Sequence, residues 1–102
     1  MSPITTPARP ATSHQPVFIA FQANHDTRPL IDAIREDNPQ AVVDELPGLV
    51  KVTAPGALRI CRPTVEAHLG RDFDLREVHL HLVSLSGEID ESDDEFTLQW
   101  RV

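Results

Sequence analysis

The sequence predicts an α+β domain with largely antiparallel strands, in the order β-α-β-β followed by β-α-α-β-β. Three observations carry this expectation. Apolar residues alternate in short runs, helical stripes with clear stop signals interrupt them, and Pro-Gly or acidic turns lie close enough together for hairpins. The chain has 102 residues, with 40% hydrophobic and 25% charged side chains, which suits one soluble core. A chain of this size buries somewhat over ~60% of its unfolded surface and needs no staples.

The first sixteen residues hold Pro3, Pro7, Pro10 and Pro16 among Ser, Thr and Ala. Proline removes donors and fixes φ, and few large apolar groups are present to offset ordering entropy. A disordered tail is expected over 1–16 and a folded domain over 17–102. The tail reads either as an inert extension or as an arm that orders on a partner.

The first strand is expected at Val17–Gln22, where Val17, Ile19 and Phe21 alternate with Phe18, Ala20 and Gln22. Asp26 or Thr27 can cap the helix that follows, with Pro29 tolerated in its first turn. Leu30, Ile31 and Ile34 form its apolar stripe, while Asp32, Arg35 and Glu36 face water. Asn38-Pro39 stops it, because the residue before proline is pushed out of the α region. Strands over Ala41–Leu46 and Leu49–Ala54 then flank the turn Pro47-Gly48.

Pro55-Gly56 turns the chain into a strand at Ala57–Arg62. Pro63 opens a short helix through Leu69, with Gly70 as its C-cap. Asp74 can cap one more turn over Leu75–Glu77. A long strand, His79–Ser86, is expected next, then an acidic turn, then Glu95–Val102 with Phe96, Leu98 and Trp100 on one face.

Charge and cysteine usage exclude several classes of function. The net charge is −7, and Arg9 is the only charged residue of the first sixteen, so the negative charge sits in the domain. That sign disfavours nucleic acid and anionic membrane surfaces, both of which require clustered Lys and Arg. A protein partner with a basic or mixed groove is the better expectation. Cys61 is the only cysteine, so no internal disulfide forms and a reducing cytoplasm fits. No apolar run approaches the ~20 residues of a membrane span, and a basic-then-apolar secretory leader is absent from the N-terminus.

Catalytic and metal motifs are weak. His79 and His81 would share one face of the expected strand and could chelate a metal, but no third ligand sits at zinc spacing. Histidines that meet solvent or a partner are the plainer reading. The run Asp90-Glu91-Ser92-Asp93-Asp94-Glu95 fails the calcium-loop pattern at Glu95 and Arg101 and reads as a solvated turn. No nucleophile elbow, P-loop or dinucleotide glycine pattern occurs. Cys61 reads as a small buried hydrophobe rather than a nucleophile.

The anomaly is the segment Val78–Ser86. As a strand it places Val78, Leu80 and Leu82 on a core face and His79, His81, Val83 and Leu85 on the other. A half-covered sheet should be polar on its second face. Either a sandwich covers both faces, or an apolar patch is kept for a partner.

Two runs, RPLIDAIREDNPQAVVDELPGLVKVTAPG and LGRDFDLREVHLHLVSLSGEIDESDDEFTLQW, resemble the coupling proteins of bacterial multicomponent diiron monooxygenases, closest to the phenol hydroxylase branch. The likeness spans about residues 28–101. It implies the same element order and a regulatory, non-catalytic component without cofactor. The implied partner is the diiron hydroxylase, bound near its active-site entrance, where the component alters oxygen reactivity and couples electrons to hydroxylation. A separate reductase, with flavin and iron–sulfur centres, would supply the electrons. Carried over from the family's entrance-facing stretch, HLVSLSG points to His81, Val83, Ser84 and Leu85 as partner-binding residues; the family pattern carries Asn at the place of His81. Two other readings compete: a small-ligand sensor domain, since paired β-α-β-β units build such modules, and a small enzyme using His81 with a nearby carboxylate.

Overall fold

The computed structural model describes residues 15–100. Among these described residues, seven strands form two antiparallel sheets. The first contains β1 (Pro16–Gln22), β2 (Val42–Leu46), β3 (Leu49–Pro55) and β5 (Leu82–Ser86), in the order β2-β3-β1-β5. The second holds β4 (Ala57–Cys61), β6 (Glu88–Glu91) and β7 (Glu95–Gln99), in the order β4-β7-β6. Three helices connect them: α1 (Arg28–Asp37), α2 (Arg62–Leu69) and α3 (Val78–His81), the last preceded by a 3₁₀ turn at Leu75–Glu77.

Alternation decides which strand faces enter the core. Val17, Ile19 and Phe21 of β1 lie opposite Ala54, Val52 and Val50 of β3. All six are buried, as are Leu58 and Ile60 of β4 against Leu98 and Phe96 of β7. The stripe of α1 joins them through Leu30, Ile31, Ala33 and Ile34, and one core cluster runs through both sheets.

Local signals explain the helix ends. Thr27 precedes α1 but its hydroxyl does not cap it. Instead Thr27 Oγ1 donates to the Gln22 carbonyl at 2.7 Å, and Asn24 Oδ1 accepts from the Thr27 amide at 3.0 Å. Gly70 ends α2 at φ 75°, a conformation that glycine adopts without Cβ strain. Asp74 accepts from the Arg76 amide while Glu77 accepts from the Asp74 amide, a reciprocal capping box.

Several expectations are corrected. Pro16, assigned to the tail, begins β1, and the Gln15 carbonyl accepts from the Gly56 amide at 3.2 Å; the rest of the expected tail, Met1–His14, lies outside the described residues. The long strand over His79–Ser86 is instead α3 followed by the shorter β5. Leu80, expected in the core, is 73% exposed. The acidic stretch contains a strand, β6, because Ile89 and Glu91 pair with Leu98 and Phe96. Trp100 does not extend the buried face of β7; its indole N–H instead donates to the Pro16 carbonyl at 3.0 Å.

Candidate functional site

The segment carrying the four expected contact residues forms a corner between α3 and β5. Val78 enters the core, and the four-residue helix turns Leu80 outward. The chain becomes extended at Leu82 (φ −72°, ψ 129°) and runs antiparallel to β1.

A bulge then resets the strand. Leu82 lies opposite Phe21, while Ser84 lies opposite Ala20, so Val83 is an extra residue. Phe21 and Ile19 both point into the core, and so do their partners Leu82 and Leu85, which pack against it half-buried. Val83 is pushed outward, 53% exposed. Ser84 occupies the outer face of the sheet opposite Ala20, and Ser86 Oγ accepts from the Phe18 amide at 3.1 Å.

The structure therefore splits the four expected residues. Val83 and Ser84 are exposed, His81 is half-buried at the end of α3, and Leu85 belongs to the inner face. Period two would have set Val83 and Leu85 on one face, and the bulge separates them. Leu80 joins Val83 as the second exposed apolar side chain of the corner. The four-residue spacing from Val78 to Leu82 is a helical signal that could have revealed it.

His79 fastens the corner to the second sheet. Its Nε2 lies 3.1 Å from both carboxylate oxygens of Glu91, and its ring meets Phe96 edge-on at 5.9 Å. On one helical turn His79 and His81 point apart, so the two-histidine chelate of the strand reading is lost. Among the described residues no group of three or more His, Cys, Asp or Glu is placed to hold a metal ion. Cys61 sits half-buried at the end of β4, with burial first and Asp37 second pushing its thiol up, which disfavours the reactive thiolate.

The acidic turn between β6 and β7 is braced rather than free. Arg62 reaches Asp94 and Glu66, and the Ser92 amide donates to the Glu95 carbonyl at 2.8 Å. An open groove of about 470 Å³ runs between α1 and the β2–β3 hairpin. Ile31 and Val50 line it together with Arg28, Arg35, Asp32 and Glu45, a lining of mixed charge.

The pattern of the MmoB/DmpM family matches residues 15–99. The chain is 42% identical over 85 residues to the stimulatory component DmpM of phenol 2-monooxygenase from Pseudomonas sp. (strain CF600), covering 83% of this chain and 94% of that protein. A chain from a structure of the phenol hydroxylase–regulatory protein complex superimposes with a TM-score of 0.82 at 44% identity, covering 85% of this chain and all of that one. The soluble methane monooxygenase regulatory protein B superimposes with a TM-score of 0.70 over 95% of this chain and 72% of its own. Its identity is 16%, so that likeness concerns the fold alone.

Proposed function

The chain belongs to the MmoB/DmpM family, and on that premise we infer that it is the regulatory component of a multicomponent, phenol-type monooxygenase. The observation that carries this reading is the 44% identity, over 85% of this chain and all of the other, to a chain from a hydroxylase–regulator complex. The protein is a non-catalytic component. It binds the diiron hydroxylase near its active-site entrance and couples electron transfer and oxygen activation to substrate hydroxylation.

The contact is the α3–β5 corner, with Leu80 and Val83 as apolar anchors and His81 and Ser84 as the polar groups beside them. Leu85 contributes from beneath, by holding β5 against the core. A regulator shifts the hydroxylase only by as much as it prefers one hydroxylase state over another. Apolar side chains that fit one shape of an access channel supply such a preference without forming or breaking a bond.

The protein works in the cytoplasm: its lone cysteine suits a reducing compartment, and no helix among the described residues is long and apolar enough to cross a membrane. The test is reconstitution. Added to its hydroxylase and an iron–sulfur flavin reductase, the protein should raise product formed per electron consumed. An unchanged ratio across a full titration overturns the assignment. The ligand-sensor alternative places a small molecule in the groove beside α1 and predicts thermal stabilisation by that molecule without any hydroxylase.

A further inference from the structure

The two sheets turn unlike outer faces to solvent. On the three-stranded sheet that face carries Arg59, paired with Glu95, and Asp90 opposite Thr97. Such polar outward residues are the ordinary pattern for a sheet wetted on one side. The four-stranded sheet departs from it. Register sets Val42, Phe18 and Ser86 in one row and Lys51, Ala20 and Ser84 in the next. Val42 is 58% exposed and Leu46, farther along β2, 47%. The Lys51 amine lies 4.5 Å from the centre of the Phe18 ring, and Asp44 sits directly opposite Lys51. The face is thus neutral in a chain of net charge −7.

We propose that this face is a second part of the hydroxylase contact, a platform for an apolar helix surface of the same partner that takes the α3–β5 corner. The proposal rests on the function assigned above and extends its interface. Strand spacing and length give the platform roughly 19 Å by 16 Å, about 300 Å². A stable interface needs ~800 Å² per partner, so the platform alone is too small to hold a second copy of this chain. Strand β5 removes that shortfall for a larger partner, because it sends Ser84 to the platform and Val83 to the corner. The two patches are therefore continuous. Ala20 is already covered by its neighbours, and the small side chains of exposed Ser84 and half-buried Ser86 let a helix of ~10 Å diameter approach the β5 side of the sheet closely.

Lys51 is the only lysine of the chain and stands on this platform, which makes amine acylation a site-specific probe. The protein is treated with the N-hydroxysuccinimide ester of acetic acid, alone and with saturating hydroxylase, and Lys51 is read by peptide mass spectrometry. Acylation should slow at least fivefold in the complex. Equal acylation in a complex shown to form by gel filtration overturns the platform and leaves the corner contact standing. Failure to form any complex overturns the functional assignment itself, and the platform with it. Leu46→Arg should weaken hydroxylase affinity at least tenfold with an unchanged circular dichroism spectrum, and unchanged affinity counts against the proposal. If that variant misfolds, the Lys51 labelling decides. A wild-type dimer in sedimentation that Leu46→Arg dissociates would assign the face to a second copy and overturn it.

Discussion

The side-chain amide of Asn38 bonds the backbone of Arg59 in both directions. Its Nδ2 donates to the Arg59 carbonyl at 2.7 Å and its Oδ1 accepts from the Arg59 amide at 2.9 Å. The same Nδ2 lies 2.7 Å from the Ile34 carbonyl, so one buried side chain ends α1 and occupies the free edge of β4. An open edge strand invites pairing with another chain, and Asn38 blocks it at the middle residue of β4.

Asn38→Ala should therefore destabilise the domain by about 2–3 kcal/mol, because partly buried backbone groups lose their partners together. Urea unfolding measures it. A loss below ~0.5 kcal/mol would mean that water replaces the amide without penalty.

The corner makes opposite demands on neighbouring residues. Leu80→Asp and Val83→Asp should leave stability within about 0.5 kcal/mol of wild type, as exposed positions do. As interface anchors, each should on substitution weaken hydroxylase binding by roughly tenfold or more. Val78→Asp should unfold the protein, since Val78 is fully buried and an unpaired charge there is costly. Circular dichroism beside titration calorimetry separates the two behaviours. Normal binding by both folded corner variants would move the contact elsewhere.

Gly87 carries the chain from one sheet to the other at φ 113°. A Cβ there would stand 3.1 Å from Val17 Cγ1 and 3.2 Å from Leu98 Cγ, both on buried core residues. Gly87→Ala combines backbone strain with overpacking and should cost about 2–4 kcal/mol. That corresponds to a fall in Tm of roughly 8 °C or more for a domain of this size. A melting temperature within 2 °C of wild type would contradict the close approach.

Asp74 gives the fold a response to acid. Side-chain bonds from Arg76, then the Arg76 amide, hold its carboxyl down at about 2, against ~3.9 in an unfolded chain. A carboxyl depressed on folding stabilises the native state above its unfolded pKa, and that contribution fades as the pH falls from ~4 towards 2. Carbon-13 NMR titration should place the Asp74 midpoint near 2, and Asp74→Asn should flatten the dependence of melting temperature on pH across that window. A midpoint near 4 would show that the Arg76 pairing does not persist in solution.

Much of the architecture is legible in the linear chain because local physics writes it there. Alternation marks β1, β3 and β7, the Asn38-Pro39 pair stops α1, and Asp74 announces the turn that follows it. The runs around the LGR turn and HLVSLSG are specific enough to point to the family. The candidate site was less legible, and particular residues show why. Nine residues from Val78 to Ser86 are too few to fix a period: Val78, Leu80 and Leu82 suit a strand, while Val78, Leu82 and Leu85 suit a helix. Only packing decides: His79 must reach Glu91 and Phe96, which takes one helical turn, and Leu82 and Leu85 must both face the core beside β1, which takes a bulge at Val83. Likewise Glu88–Glu91 has little strand propensity of its own and becomes β6 because β7 offers it an edge. Strand pairing joins residues far apart in sequence, so which side chains reach solvent at the corner was set by the partner strands and not by the segment itself.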